Sequence, residues 1–297
     1  MGFDMATKSK KIDDYSKRRE MPRIVIPEIL KSNKLPGILV SGNLDYYVRY
    51  GLPLINSFLK YSSKTALIIN CVDFTISLAN SLLKQHISGE TQNKIFFTKT
   101  ELSSLGLLSQ ERKSCYLKTI RYYIGLKIRK ILPTMPLIIA DIDALLTKSS
   151  FDSDYKKLTS SSIDFGIGST YDFLNNSLYD SRKQNYLWRT IKAGCSYYNE
   201  GQYGTQALNM IVQSLFNLDD KIPPTDKLKL YRAYYGDQLA ILFTSLELNS
   251  QVTKNSSRLK CLGCSENDMI SFSNREYGSF WIPPASKRDE KLFDLFR

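Results

Sequence analysis

The chain has a single histidine, His86, in 297 residues. A closed zinc site built on imidazoles is therefore not expected. Cysteine is also sparse: Cys71, Cys115, Cys195, Cys261 and Cys264. Their odd number and scattered spacing point to reduced thiols and a cytoplasmic setting. Cys261 and Cys264 form one CxxC with no second pair, so they read as small buried or loop residues rather than a redox couple. Long apolar runs are missing. The stretches 136–140 and 67–69 are far too short to span a bilayer. The first residues, Met1-Gly2-Phe3-Asp4, carry no apolar leader, and Ala6 stands where a myristoylation signal needs Ser or Thr. Internal repeats and low-complexity segments are absent too.

Acids are the scarce charge. There are 29 Asp and Glu against 41 Lys and Arg, a net +12. The excess is local: Arg112, Lys113, Lys118, Arg121, Lys127, Arg129 and Lys130 share the stretch 112–130 with no acid, and a second basic run spans 8–23. Such surfaces attract phosphates, nucleic acid or anionic lipid. Hydrophobic residues make up 42%, enough for an ordinary core. The length fits one large α/β domain.

Residues 1–35 are polar and weakly patterned and read as a basic arm, with one domain over 36–297. Short apolar runs at 38–41, 66–70, 94–98 and 136–140 read as strands. Between them, 45–61, 74–85 and 113–131 carry helical periodicity. In the last, Leu117, Ile120, Ile124, Ile128 and Ile131 make one apolar stripe. Strands alternating with helices imply a mainly parallel central sheet flanked by helices. Residues 149–162, rich in Ser, Asp and Lys, read as a loop. Strands follow at 163–168, 190–199 and 269–273. Helices follow at 202–216 and within 226–248, the latter beginning near Asp237.

The most informative segment is Pro136-Leu-Ile-Ile-Ala-Asp141-Ile-Asp143. It is a buried strand that ends in two acids spaced i, i+2. Strand alternation lets both carboxylates point one way, at the carboxyl end where open α/β sheets bind ligands. Two hard oxygen ligands suit Mg²⁺ or Mn²⁺ bound to a phosphate. A solvated Asp turn would produce the same short pattern.

Four further features surround it in order. Ser41-Gly-Asn43-Leu-Asp45-Tyr46-Tyr47 is a polar turn with aromatic rings, although Asp45 could equally be an N-cap there. Arg121 lies on the preceding helix. Gly194, in Ala193-Gly194-Cys195-Ser196, permits close backbone approach. Asp237-Gln238 opens a late apolar stretch.

Together these resemble a GT-A fold glycosyltransferase, over about 38–287. The resemblance implies a Rossmann-like sheet, with a nucleotide-binding half (36–148) and a half that holds sugar and acceptor (149–297). It implies transfer of a sugar from a nucleotide-diphosphate donor to an acceptor hydroxyl on a glycan, lipid-linked or protein acceptor. It further implies Mn²⁺ or Mg²⁺ on Asp141 and Asp143, and retention of configuration. By the same resemblance Ser41, Asn43 and Tyr46 or Tyr47 hold base and ribose. Arg121, Asp141, Gly194 and Lys287 meet the donor, and Asp237 with Gln238 faces the reacting sugar. Related enzymes add a histidine ligand near the last strand, and none follows His86 here. The basic surface is expected to touch an anionic membrane peripherally, with no specific nucleic acid.

Two other readings remain open. In a haloacid-dehalogenase-like phosphatase, Asp141 and Asp143 would be nucleophile and acid, and Gly168-Ser169-Thr170 would hold phosphate. That family starts its core at this strand, whereas three strands precede it here. A non-catalytic nucleic-acid-binding protein fits the charge and the 19 tyrosines, yet no recognition motif is present.

Overall fold

Unbroken apolar strands must be covered on both faces, and the chain places three of them at the centre of its sheet. The computed structural model describes residues 22–87, 91–105, 110–161, 163–169, 171–172, 177–178, 191–221, 226–251, 259–261, 279–281 and 296. Its strands, in chain order, begin with β1 (Arg23–Val25), β2 (Gly37–Gly42), β3 (Ala66–Val72), β4 (Ile95–Glu101) and β5 (Leu137–Asp141). They continue with the short β6 (Leu145–Leu146), then β7 (Phe165–Ser169), β8 (Tyr171–Asp172), β9 (Ser177–Leu178), β10 (Ile191–Tyr198), β11 (Leu259–Cys261) and β12 (Phe280–Trp281).

Eight of these form one sheet in the order β1-β4-β3-β2-β5-β10-β7-β11. The pairs β4–β3, β3–β2, β2–β5 and β7–β11 are parallel. Strand β10 runs antiparallel to both β5 and β7, and β1 antiparallel to β4. The expected mainly parallel α/β sheet is therefore present, with antiparallel pairing beyond β5. Strand β6 pairs with β12 in a small separate sheet, and β8 with β9 in another.

Alternation in the strands splits the core in two. On one face Ile38, Val40, Leu67, Ile69, Ile138 and Ala140 pack under helices α1 (Leu52–Tyr61) and α2 (Ile76–His86). On the other, Leu39, Ile68, Leu137 and Ile139 pack under α3 (Gln110–Ile131) through Ile120, Ile124 and Ile128. Helix α4 (Phe151–Thr159) completes the first layer. Helices α5 (Gln202–Lys221) and α6 (Asp226–Gln251) complete the second. Among the described residues no helix is long and apolar enough to cross a membrane.

Four expectations are corrected. Ordered structure starts before Pro36: β1 closes the edge of the sheet against β4, and Leu30 is fully buried. Within the stretch expected to be a loop, 149–162, Phe151–Thr159 is helix α4. Phe151, Tyr155 and Leu158, spaced as one helical face, sink into the core beneath a polar exterior. The helix expected at 45–61 is interrupted by a π-turn at Tyr47–Gly51. Helix α6 starts at Asp226, so Asp237 sits in its interior and is not an N-cap. The strand expected at 269–273 lies outside the described residues.

Candidate active site

Register places one polar residue from each of four parallel strands in a row. Thr98 of β4 pairs with Asn70 of β3, Asn70 with Ser41 of β2, and Ser41 with Asp141 of β5. Paired residues of parallel strands share a face, and this face is the one beneath α3. The Asn70 amide donates to Ser41 Oγ at 2.9 Å, and its carbonyl oxygen accepts from Thr98 Oγ1 at 3.1 Å and Thr100 Oγ1 at 3.0 Å. Asn70, Thr98 and Thr100 are completely buried. Ser41 and Asp141 lie at the carboxyl ends of β2 and β5, where the backbone leaves the sheet and a crevice can form, whereas Asn70 and Thr98 lie further inside β3 and β4.

Strand β5 stops at Asp141, and Asp143 lies in the turn that follows, closed by Ala144 N–H donating to the Asp141 carbonyl at 3.2 Å. Strand alternation is thus not what orients the second acid. The Asp141 side chain is 37% exposed, while Asp143 is buried.

Arg121 ties Asp141 to a motif far away in sequence. It projects from α3 and is buried, with Nη1 donating to Asp141. Its Nη2 lies 3.0 Å from Asp237 Oδ2, 3.0 Å from the Ala193 carbonyl and 3.3 Å from Tyr122 Oη. Tyr122 Oη donates to the same Ala193 carbonyl at 3.1 Å. Asp237 is buried, and its Oδ1 accepts from the Gln238 backbone N–H at 2.9 Å. Gln238 Nε2 donates to the Ile191 carbonyl at 2.8 Å, and its Oε1 meets no donor among the described residues. Gly194 lies in β10, between Lys192 and Ser196, where the pairing with β7 shifts register. Such a bulge re-aims the backbone, and here the Ala193 carbonyl meets Arg121.

Electrostatics follow from burial. Desolvation raises the Asp237 carboxyl above its usual range, and the adjacent Arg121 partly offsets this. The Arg121 guanidinium is held firmly charged: burial works against the charge, but Asp141 and Asp237 outweigh it. Burial pushes the Cys195 thiol up to about 12, so it stays protonated at neutral pH. Cys71 is likewise a buried free thiol.

Several site expectations need revision. Tyr47 is unavailable to a base: it is fully buried, donates to the Ala79 carbonyl at 3.0 Å, and packs on Phe74 and Phe97. Tyr46 is half-buried, its ring 5.5 Å from that of Tyr50, and it remains the aromatic candidate. The helix cap is Asn43, whose Oδ1 accepts from Tyr46 N–H at 3.0 Å, rather than Asp45, which pairs with Arg49. Of the basic residues on α3, Arg121 and Arg129 face inward and do not belong to a surface patch. Lys287 lies outside the described residues. The roles of Asn70, Thr98, Thr100 and Tyr122 were missed. Their signal was polar groups inside segments otherwise dictated by burial, which require partners.

The donor chemistry for a metal is limited. Among the described residues no group of three or more His, Cys, Asp or Glu could hold an ion. Two carboxylates alone fit Mg²⁺ or Mn²⁺ only when phosphate oxygens and water complete the shell, which these ions accept readily. An aspartyl nucleophile at Asp141, as the phosphatase reading needs, would have to compete with the Arg121 ion pair.

No known protein family matches the sequence. No curated protein matches it either. Solved structures do. The chain is similar to the glycosyltransferase GlyE of Streptococcus pneumoniae TIGR4, with 13% identity, 77% of this chain covered and a TM-score of 0.42. It spans 45% of the length of that protein. It is similar to the galactosyltransferase LgtC, solved with donor and acceptor sugar analogs, with 14% identity, 68% of this chain and 71% of that one covered, and a TM-score of 0.41. It is also similar to residues 1–349 of S. aureus TarS in complex with UDP, with 13% identity, 77% and 57% coverage, and a TM-score of 0.41.

Proposed function

We propose that the chain is a glycosyltransferase that moves a sugar from a nucleotide-diphosphate donor to an acceptor hydroxyl. One observation carries the reading. Asp141 and Asp237, on different elements and far apart in sequence, meet the same buried guanidinium at the carboxyl end of the sheet. The row passes from the buried neutral groups Thr98 and Asn70 through Ser41 to Asp141, which joins the charged cluster of Arg121 and Asp237. That gradient suits a ligand with an uncharged nucleoside at one end and a diphosphate-linked sugar at the other.

In this reading Ser41 and Tyr46 receive the nucleoside. Asp141 and Asp143 would hold Mn²⁺ or Mg²⁺ together with the diphosphate, and the ion would neutralise charge on the leaving group. Arg121 fixes the position of Asp141 and Asp237 and keeps positive charge beside the departing phosphates. Gly194, on the bulge, lets the backbone lie close to the sugar. Gln238 Oε1 is an acceptor in want of a donor, the complement of a sugar hydroxyl. Both Asp237 oxygens already accept hydrogen bonds, from Arg121 and the Gln238 N–H. That engagement, with the burial of Asp237, counts against an inverting scheme in which Asp237 takes the acceptor proton. The acceptor belongs to the half of the site bordered by β10 and α6.

The test is a panel of nucleotide sugars with and without Mn²⁺, read as thermal stabilisation and nucleotide release. Linkage requires a ligand that binds the folded state to raise its melting temperature. Asp141→Asn and Asp143→Asn should each abolish release with the fold intact. Full turnover by both at saturating donor would refute the assignment.

A further inference from the structure

Asn70 has two possible amide orientations, and the proton inventory selects one. With its carbonyl oxygen toward Thr98 and Thr100, both buried hydroxyl protons find an acceptor. With the amide reversed, both threonine protons would lose that acceptor at fully buried positions. The first orientation directs the Asn70 N–H₂ at Ser41 Oγ, at 2.9 Å. Ser41 then accepts from the protein. Its own O–H donates to no group among the described residues, and Ser41 is less buried than Asn70, Thr98 and Thr100.

We propose that Asn70 is a positioning residue that sets Ser41 as a hydrogen-bond donor to an acceptor atom on the uncharged nucleoside of the donor substrate. Two threonine hydroxyls fix the amide, the amide fixes the serine, and the serine proton is left for the ligand. This rests on the nucleotide-binding reading above. The ligand atom is a base carbonyl or ring nitrogen, or a ribose hydroxyl oxygen. Thr98, Asn70 and Ser41 are uncharged, so selection by them works by proton direction, and the nearest charged member of the row is Asp141, the partner of Ser41 on β5. The Asn70 N–H occupies one lone pair of Ser41 Oγ and so narrows the directions open to the serine proton, which lowers the ordering cost when the ligand arrives.

Dissociation constants of UDP, CDP, ADP, GDP and 2′-deoxy-UDP should be measured by calorimetry for wild type, Ser41→Ala, Asn70→Asp and the double variant. Asp at 70 keeps the shape and still accepts from Thr98 and Thr100. When ionised it also accepts from Ser41 and so withdraws the proton from the ligand, a form favoured by measuring at pH 8 because burial raises a carboxyl. Ser41→Ala and Asn70→Asp should each weaken the preferred nucleotide about 10-fold, the worth of one hydrogen bond. The double variant should be no weaker than Asn70→Asp alone. The added charge at 70 would weaken binding equally with Ser or Ala at 41, so additive losses would overturn the relay. If Asn70→Asp does not fold, unchanged binding by Ser41→Ala alone overturns it. Loss of affinity confined to ribonucleotides, with 2′-deoxy-UDP unaffected by Ser41→Ala, assigns the acceptor to the ribose. Loss shared by 2′-deoxy-UDP assigns it to the base or to the ribose 3′-hydroxyl. Wild type that binds none of the five refutes the nucleotide reading and the relay with it. Wild type that binds, with additive losses, refutes the relay alone.

Discussion

Replacing Arg121 with Met keeps most of the side-chain volume and deletes the charge that joins α3, β5, β10 and α6. The magnitude follows from its contacts. Two hydrogen bonds go to carboxylates and two to neutral oxygens. Bonds to charged groups contribute about 1.5–3 kcal/mol each and neutral ones about 0.5–1.5 kcal/mol. Desolvation of the guanidinium offsets much of that sum. What remains is the penalty for leaving Asp237 buried with no cation, about 3–5 kcal/mol when one partner of a buried pair is removed. Against a total stability of about 5–15 kcal/mol, that is a large share.

The pH dependence gives the sharper test. The Asp237 carboxyl is raised in the folded state by burial, with Arg121 acting to lower it. A raised carboxyl binds its proton more tightly folded than unfolded, so its contribution is present at low pH and is lost as pH climbs through the folded pKa. Without Arg121 the folded pKa rises further, and the loss extends to higher pH. Arg121→Met should therefore lie nearest wild type in acid and fall behind as pH rises toward 8. Urea unfolding between pH 5 and 8, with slopes compared to confirm two-state behaviour, measures this. A deficit under about 1 kcal/mol, or one that grows on acidification, would refute the buried-pair argument.

Asp152 at the start of α4 clamps the turn between α1 and β3. Its Oδ1 accepts from Ser62 Oγ and Thr65 Oγ1, and its Oδ2 from the Ser63 and Lys64 backbone N–H groups and Ser63 Oγ. Burial works to raise this carboxyl, but the hydrogen bonds hold it below its usual value. Asp152→Ala should cost about 2 kcal/mol at neutral pH, and its gap from wild type should close as pH falls through the carboxyl range, read by urea melts. Gly204→Ala and Gly236→Ala are one chemical change in two helices with opposite expected signs. A Cβ at 204 would stand 2.4 Å from the Asn199 carbonyl oxygen, a backbone atom that cannot swing aside. At 236, among the described residues, it would meet nothing within 4 Å. Melting curves should show the first destabilised by at least about 2 kcal/mol and the second stabilised by up to about 1 kcal/mol.

The sheet was legible because each central strand is an apolar run bounded by polar punctuation, and nothing else in the chain competes for that pattern. Helix α3 was legible from Ile120, Ile124 and Ile128. The same logic failed at 151–159, where a polar outer face hid the spacing of Phe151, Tyr155 and Leu158. It failed again at Asp237, where a good capping residue stands in the middle of a helix whose true start, Asp226, is another one. At the site, residue type was readable and orientation was not. Tyr46 and Tyr47 are adjacent and alike in sequence, yet helical geometry turns Tyr47 into the core between Phe74 and Phe97 and leaves Tyr46 half-exposed.

Pairing between elements was the least readable property. Arg121 in sequence is one of seven basic residues in an acid-free stretch, which argues for a surface facing an anionic partner. Its acids are Asp141, twenty positions later, and Asp237, 116 positions later. Only the packing of α3 across β5 and against α6 brings them within reach. Burial then decides what the arginine is for. A guanidinium already committed to two carboxylates and a carbonyl is poorly placed to grip phosphate on its own, and well placed to fix the Asp141 and Asp237 carboxylates in position. A local window reports the charge of each group, but the partner that neutralises it is set by the topology of the sheet. For that reason the pair of acids at the end of β5 is a weak signal alone, and becomes a specific one once Arg121 links it to Asp237.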